Sequence, residues 1–284
     1  MVSRVAVIGA GTMGRDIAYV ACACGCKVRL FDERPDAVTA GLQRVAELVD
    51  QGIMRGKIPL IERDTVLDRV TRVSTLEAAA KGVELVVEAI VEDMTAKRAV
   101  FAALERACPT DALLATNTSS LSIAAIAAGV QQPGRVLGMH FFNPVPAMRL
   151  VEIVTHAGND RATIDRAVEF ARQVGKEPIL VKDSPGFASS RLGVALGLEA
   201  MRMLEEGVAS AEDIDKAMEL GYNHPMGPLK LTDLVGLDVR LAIAEYLHRT
   251  LEEPQFKPPR MLREKVAKGE LGKKTGRGFY SWGG

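Results

Sequence analysis

A glycine-rich turn near the N-terminus restricts the fold of this chain more than any other part of its sequence. Residues 4–8 are a short β-branched apolar run that predicts a buried strand, and a Gly-Ala-Gly-Thr-Met-Gly turn follows at 9–14. Apolar residues then recur at helical spacing up to Cys24, and residues 27–31 predict a second strand ending at Asp32. This order indicates a βαβ unit, so we expect a parallel sheet covered by helices.

The glycines of this turn suit a dinucleotide. Gly9 permits the tight turn, Gly11 leaves the backbone open to a pyrophosphate, and Gly14 lets the helix pack closely on the strand. The free N–H groups at the start of the helix, together with its dipole, attract the phosphates. A glycine turn that binds nothing is the alternative interpretation.

Asp32 indicates which dinucleotide is bound. It lies 18 residues after Gly14, close to the spacing of about 20 expected for the acid that binds the adenosine ribose. Its carboxylate would repel a 2′-phosphate, so the sequence predicts NAD rather than NADP. Arg34 lies nearby and would weaken that preference.

Size and charge narrow the class of protein. A chain of 284 residues is long for one core, so we expect two domains of unequal size. The 36 basic residues balance the 36 acidic ones and form no basic block, which argues against a nucleic-acid partner. No apolar stretch approaches the roughly 18 residues that a membrane span needs. The first strand begins at once and leaves no room for a signal peptide, so we expect a cytoplasmic protein.

Three cysteines, Cys22, Cys24 and Cys26, alternate near the end of the first helix. Metal binding is one interpretation, but no histidine lies near them and the spacing is not a zinc pattern. Alternate residues on a helix also point in different directions. We therefore interpret these cysteines as small apolar residues between helix and sheet and predict no metal site.

Further strands are predicted at 83–90, 113–116, 136–139, 150–154 and 178–181, and an apolar-alternating piece at 66–73 is a weaker candidate. Ligands of open α/β sheets bind beyond the carboxyl ends of strands. Glu92 and Lys97 follow one such end, although they suit a surface ion pair equally well. The polar residues 117–120 follow the next, either in a site or as a helix cap before Ser122.

A histidine and a glutamate are predicted to meet on neighbouring strands. His140 ends one strand and Glu152 lies on the next, with a proline-rich turn between them. A carboxylate that holds an imidazole fixes its tautomer and stabilises the imidazolium, which is the arrangement of a general base. A histidine without such company is more often structural.

A helix is predicted over 36–56, and Arg55 and Lys57 lie at its end, where a glycine- and proline-containing segment begins. These two residues either contact phosphate or are solvated surface charges. The alternation of strands and helices stops at 183–187, which we take as the domain boundary. Helices are predicted at 188–206, from a Ser210 cap through 220, and within 229–250. The sequence therefore predicts a Rossmann-type doubly wound α/β domain over 1–184 and an all-helical domain over 185–284.

Seven motifs together resemble the short-chain L-3-hydroxyacyl-CoA dehydrogenases, of the bacterial 3-hydroxybutyryl-CoA dehydrogenase type, over nearly the whole chain. Besides the glycine turn they are VEAIVE (87–92), NTSSL (117–121), HFFNPVP (140–146), DSPGF (183–187), PMGP (225–228) and GKKTG (272–276). The resemblance implies NAD-dependent oxidation of the 3-hydroxyl of an (S)-3-hydroxyacyl-CoA, the substrate being 3-hydroxybutyryl-CoA. It also implies a homodimer formed through the C-terminal helical domain.

The resemblance also assigns residues. His140 would be the general base, Glu152 its partner, and Ser119 a hydrogen-bond partner of the substrate oxygen. Arg55 and Lys57 would contact coenzyme A. The cofactor residues implied by the turn and the motifs are Gly9, Gly11, Thr12, Met13, Gly14, Asp32, Glu92, Lys97, Asn117, Ser119, Asn143 and Lys274.

One position departs from the family pattern. Members usually carry an asparagine three residues after the phenylalanine of the Pro-Gly-Phe motif, where it helps to position the reacting oxygen, and this chain has Ser190. A serine hydroxyl can still donate, but it is shorter and has one donor where an amide has two. Two alternatives therefore stand beside the main function: a dehydrogenase of a free hydroxy acid or sugar acid, and an NAD-binding protein without catalysis.

Overall fold

The computed structural model describes residues 1–283 and contains one eight-stranded sheet with the order β3-β2-β1-β4-β5-β6-β7-β8. The strands are β1 (Arg4–Ile8), β2 (Lys27–Phe31), β3 (Val70–Arg72), β4 (Leu85–Glu88), β5 (Leu113–Thr116), β6 (Val136–Phe141), β7 (Leu150–Thr155) and β8 (Glu177–Lys182).

The direction of the strands changes once. All pairs from β3 to β6 are parallel, β7 is antiparallel to β6, and β8 runs parallel to β7. Parallel neighbours need a long crossover, whereas antiparallel neighbours can be joined by a short loop. The proline-containing loop at 142–149 is short, and it therefore returns the chain beside β6 in the opposite direction.

The helices that cover this sheet are α1 (Thr12–Ala23), α2 (Pro35–Met54), α3 (Arg63–Leu67), α4 (Leu76–Ala80), α5 (Met94–Ala107), α6 (Ile123–Ala127) and α7 (Arg161–Gln173). The strand proposed at 66–73 is wrong in its first half, because residues 63–67 are helical and only Val70–Arg72 pair with β2. Alternating apolar residues over so short a run do not distinguish one helical turn from a strand. The other predicted elements of this region are present with ends shifted by a few residues.

Two of the three clustered cysteines are small buried apolar residues, as predicted, and the prediction is wrong for Cys24 because it faces solvent at the end of α1. Cys22 and Cys26 are completely buried in the core between α1 and the sheet, whereas Cys24 is exposed. Burial raises the pKa of Cys22 to about 12 and that of Cys26 to about 11. Both thiols therefore stay protonated at neutral pH, where the thiolate is the form that binds metals.

The rest of the chain is helical: α8 (Ser189–Glu205), α9 (Ala211–Gly221), α10 (Pro228–Val235), α11 (Leu237–Leu251) and α12 (Arg260–Ala267). Ser210 caps α9, because its Oγ accepts from the N–H of Asp213 at 3.1 Å. The buried carboxylate of Asp233 holds the C-terminal segment by accepting from the N–H groups of Phe279 and Tyr280. This second region has its own apolar core.

The chain forms two compact units, Met1–Ser184 and the part from Pro185 onward. The α/β fold with a doubly wound sheet and a C-terminal helical region is confirmed. Within residues 1–283, no helix combines the length and the apolar character that crossing a bilayer would require.

Candidate active site

The antiparallel pairing of β6 with β7 places His140 directly opposite Glu152. Nδ1 of the imidazole lies 2.7 Å from Oε2 of the carboxylate. Glu152 is completely buried and His140 is only 7% exposed. A buried carboxylate needs a charged or hydrogen-bonding partner, and the imidazole supplies it. With Nδ1–H donating to Glu152, the neutral ring carries its lone pair on Nε2.

The glycine turn between β1 and α1 has the shape that a dinucleotide needs. Gly9 has φ +100°, and a Cβ there would lie 2.5 Å from the carbonyl oxygen of Ala89. A Cβ on Gly14 would lie 1.8 Å from the carbonyl oxygen of Gly9, whereas one on Gly11 would meet nothing within 4 Å. Gly9 and Gly14 are therefore required by packing. Gly11 faces open space at the start of α1, so the residues present fit a pyrophosphate approaching the backbone.

Asp32 follows β2 and braces the same turn. Its Oδ2 accepts from the N–H of Ala10 at 2.8 Å, and its Oδ1 accepts from the N–H of Arg34 at 2.9 Å. The carboxylate is partly exposed. The two hydrogen bonds fix the orientation of the carboxylate, and its partial exposure leaves it accessible. Both properties suit a group that accepts hydrogen bonds from the hydroxyl groups of a ribose.

A buried ion pair lies at the carboxyl ends of β4 and β5. Lys97 Nζ donates to Glu88 Oε1 at 2.6 Å, and the side chains are 1% and 0% exposed. Thr116 donates to the other oxygen of Glu88 at 2.7 Å. The alternative in which Lys97 belongs to a surface pair is wrong, because α5 turns this lysine inward beneath the loop that follows β4.

The carboxylate of Glu92 accepts several hydrogen bonds from the turn that contains Ser119. Its Oε1 accepts from Thr118 Oγ1 at 2.6 Å, from Ser119 N at 2.9 Å and from Ser119 Oγ at 3.2 Å. Its Oε2 lies 3.6 Å from the ammonium of Lys97. The helix cap is supplied separately by Ser122, whose Oγ accepts from the N–H of Ala125. The polar residues 117–120 are therefore not the cap of α6.

Asn117 connects two of these strand ends. Its Oδ1 accepts from the N–H of Phe141 at 2.9 Å, which ties the residue after β5 to the residue after His140. The glycine turn, Ser119 and the His140–Glu152 pair thus lie on strand ends of one sheet edge, where open α/β sheets bind their ligands.

Family models match almost the whole chain. The NAD-binding domain of 3-hydroxyacyl-CoA dehydrogenase matches residues 4–184, and the C-terminal domain of the same enzyme matches residues 186–282. This chain belongs to the 3-hydroxyacyl-CoA dehydrogenase family.

Proteins of similar sequence and structure match this chain over nearly its full length. A probable 3-hydroxybutyryl-CoA dehydrogenase of Bacillus subtilis is 43% identical over 99% of this chain and 98% of its own. The 3-hydroxybutyryl-CoA dehydrogenase of Mycobacterium tuberculosis is 44% identical over 99% of both chains. The crystal structure of the (S)-3-hydroxybutyryl-CoA dehydrogenase of Ralstonia eutropha superposes with a TM-score of 0.95 at 38% identity, covering all of both chains. The chain is therefore an NAD-dependent 3-hydroxyacyl-CoA dehydrogenase.

Two clefts of this dehydrogenase lie between α1, α2 and the loop after β6. The first, of about 370 Å³, is lined by Thr12 and Asn143, and by Arg15, Asp16 and Arg44. Asp16 is almost completely buried, and burial raises the pKa of its carboxyl. Asn143, one of the predicted cofactor residues, thus lies on the same wall as the start of α1.

The second cleft, of about 260 Å³, contains both predicted coenzyme A residues, Arg55 and Lys57, together with Lys176. Lys176 was not predicted; it is buried, donates to the carbonyl oxygen of Met148 at 2.9 Å, and hydrogen-bonds that of Val145. Burial lowers the pKa of its ammonium. Arg55 and Lys57 are both exposed, and they line this cleft together with Lys176 as a third cation.

Two predicted residues lie in the helical unit. Ser190 is in the first turn of α8 and is partly buried. Lys274 Nζ lies 2.6 Å from both carboxylate oxygens of Asp238. Burial is the largest single influence on Asp238 and opposes its ionisation. The hydrogen bond from Lys274, the charge of that ammonium and backbone N–H donors together exceed it and lower the pKa of this carboxyl.

Sequence reasoning missed Glu88 and Thr118 as parts of this site. Glu88 had a signal, because it is a carboxylate inside the apolar run Val86-Val87-Glu88-Ala89-Ile90. A charge in a buried strand requires a partner. Nothing in the sequence identified Lys97, on the next helix, as that partner.

Proposed function

We propose that this enzyme interconverts (S)-3-hydroxybutyryl-CoA and acetoacetyl-CoA, with His140 as the general base and Glu152 as its partner. The observation that carries this proposal is the 2.7 Å contact between Nδ1 of His140 and Oε2 of Glu152 on directly opposed residues. The substrate follows the names of the relatives that match the whole chain.

The pair suits proton removal from a secondary alcohol. Glu152 holds the proton on Nδ1, so the lone pair of Nε2 takes the proton of the 3-hydroxyl. The buried carboxylate then stabilises the imidazolium that forms. Ser119 hydrogen-bonds the same substrate oxygen. NAD⁺, held at the glycine turn, would supply the acceptor for the hydride of C3. In the reverse direction His140 returns the proton to the 3-keto oxygen.

The chain's cofactor residues have distinct tasks in this proposal. The backbone at Gly9, Gly11, Thr12, Met13 and Gly14 holds the pyrophosphate at the start of α1. Asp32 accepts from the adenosine ribose. Glu92, Asn117 and Asn143 surround the rest of the cofactor. Lys97, which the family motifs also place here, has a side chain only 1% exposed and supports Glu92 from the buried side. Two further roles are proposed from the family motifs. Ser190 donates to the substrate oxygen, and Lys274 contacts the cofactor.

Coenzyme A is anionic, and the cleft with Arg55 and Lys57 offers cations for its phosphates. Lys176 on the same wall adds to this positive charge. A free hydroxy acid has no phosphates and would gain nothing from these residues, so their placement favours a CoA ester over the free acid.

We also propose a homodimer formed through the helical unit. Large apolar side chains are exposed there, among them Leu192 at 71% and Val239 at 41%. Exposed apolar surface of this kind often marks a protein interface. Sedimentation equilibrium tests the dimer, and cell fractionation tests the predicted cytoplasmic location.

Turnover with a CoA ester and with the free acid tests the substrate. We expect NADH oxidation with acetoacetyl-CoA to exceed that with acetoacetate by at least about 10²-fold in kcat/KM, because only the ester reaches the basic cleft. Equal rates would indicate a dehydrogenase of free hydroxy acids. NADH binding without turnover of either compound would indicate a protein that has lost catalysis.

Removing the Asp32 carboxylate tests the cofactor preference. In Asp32→Ala we expect the Kd of NADH to rise by about tenfold or more, because hydrogen bonds to a charged group are lost. The Kd of NADPH should change less, so discrimination falls. Asp32→Asn is the matched control, since it keeps an acceptor for Ala10 N–H without the charge. Titration of NADH and NADPH fluorescence measures both constants, and an unchanged ratio would reject the ribose contact.

A further inference from the structure

Glu88 is a buried charge at this edge of the sheet, and both of its carboxylate oxygens have hydrogen-bond partners. Its Oε1 accepts from Lys97 Nζ at 2.6 Å and from the N–H of Ile90 at 2.7 Å. Its Oε2 accepts from Thr116 Oγ1 at 2.7 Å. Its side chain has no exposed surface. The residue therefore fixes the end of β4, the end of β5 and the first residues of the loop between β4 and α5 at one point.

Stability alone does not explain this pair. Burying two charges carries a desolvation penalty that their attraction often only offsets, and well-packed apolar residues usually serve a fold as well. A buried ion pair is best explained where one of its members has a further task. Lys97 has one within reach, because its ammonium also lies 3.6 Å from Oε2 of Glu92.

A cation held in one place would keep the carboxylate of Glu92 in a fixed orientation. Its side chain is 39% exposed, so solvent competes for the carboxylate. Its Oε1 nevertheless holds Thr118 Oγ1, Ser119 N and Ser119 Oγ at 3.2 Å or less. The ammonium of Lys97 reaches the other oxygen from the buried side. Glu88, by holding Lys97, sets the position from which that ammonium acts.

We propose that Glu88 is a positioning residue for the reaction: it aims Lys97 at Glu92, and Glu92 in turn holds the hydroxyl of Ser119 at the substrate. Lys97 then acts through Glu92 and not by touching the cofactor. This inference rests on the proposed role of Ser119 in the dehydrogenase reaction. The order of contacts is Glu88, Lys97, Glu92 and Ser119, and each consecutive pair is within 3.6 Å.

The test removes both charges of the buried pair together. Glu88→Gln keeps groups that can bond Ile90 and Thr116, and Lys97→Met keeps most of the lysine's volume, so the double variant leaves no uncompensated buried charge. We expect it to fold, to bind NADH within about threefold of the wild type, and to lose at least about tenfold in kcat with acetoacetyl-CoA. Small displacements of positioning groups have effects of this order or larger.

Three companion variants make the result decisive. The control is Arg135→Met/Glu105→Gln, which removes another largely buried pair, 3.8 Å apart, from the opposite end of β6; its kcat should equal that of the wild type. Ser119→Ala is measured alone and combined with the Glu88/Lys97 double variant. If the pair acts through Ser119, the two losses are not additive, and the combined variant is no worse than Ser119→Ala within about twofold.

Each outcome has one meaning. Non-additive losses with unchanged NADH affinity support the proposal. Additive losses overturn it while leaving the role of Ser119 standing. A rise of tenfold or more in the Kd of NADH also overturns it, since Lys97 would then contact the cofactor directly. No loss on Ser119→Ala would reject the Ser119 assignment and this inference with it, whereas the wild-type rate reports on the proposed function by itself.

Discussion

His140→Ala is expected to lower kcat with acetoacetyl-CoA and NADH by at least about 10²-fold, which is the lower end of what a general acid–base group contributes. In the proposed mechanism the imidazole exchanges a proton with the substrate oxygen, and its neighbour Glu152 cannot replace it because that carboxylate is completely buried. NADH affinity should stay nearly unchanged, since neither residue is among the predicted cofactor residues. Steady-state kinetics and fluorescence titration give the two quantities.

Glu152→Gln is the matched control for that substitution. A glutamine oxygen can still accept from Nδ1–H at the position of Oε2, which lies 2.7 Å away, so the tautomer is kept while the negative charge is lost. We expect a rate between those of the wild type and His140→Ala, because only the stabilisation of the imidazolium is removed. If His140→Ala reduced NADH affinity as much as turnover, the role of general base would be contradicted.

Gly14→Ala is expected to have the largest effect on stability. The added methyl would lie 1.8 Å from the carbonyl oxygen of Gly9, and this oxygen belongs to the backbone of a packed turn. Overpacking of this kind costs on the order of 3 kcal/mol or more. For a unit of this size that corresponds to a Tm lower by about 6–12 °C. Calorimetry of the NAD-free protein measures it.

Gly11→Ala separates packing from ligand binding. A Cβ at this position meets no atom within 4 Å, so its Tm should match that of the wild type. The methyl should nevertheless weaken NADH binding, because it occupies the space through which the pyrophosphate approaches. If the Gly14 and Gly11 variants had the same Tm, the turn would be able to shift and make room for a methyl group beside the carbonyl oxygen of Gly9.

Local physics explains why much of this enzyme was predictable from its sequence. The glycine turn, Asp32 and the strand runs are determined by neighbouring residues, and each lies where the sequence places it. The opposition of His140 and Glu152 was predictable too, because a short loop between two strands makes them antiparallel neighbours. The weakest prediction was a strand over 66–73, and its first half is wrong. A five-residue helix ends and a three-residue strand lies within this stretch, and the alternating apolar residues run through both.

The parts that sequence did not reveal depend on contacts between elements that are distant along the chain. Glu88 and Lys97 belong to a strand and the following helix, and only the packing of α5 decides whether the lysine faces solvent or the interior. Lys176 reaches the loop after β6 from the turn before β8. Helix α12 was not predicted, because the prolines before it indicate a loop and half of its own eight residues are charged.

The antiparallel turn from β6 to β7 has an evolutionary consequence. His140 and Glu152 are aligned by the hydrogen-bond ladder of two strands. Within the connecting loop at 142–149, Phe142 contacts the imidazole through its ring, and the ladder itself does not involve the residues that follow it. That loop also lines the proposed coenzyme A cleft, through Pro146. Mutation at 146–149 can therefore reshape the wall facing a new substrate while the proposed proton-transfer pair is inherited intact. Libraries that randomise these positions and keep Phe142 and Asn143 should yield altered selectivity more readily than lost chemistry.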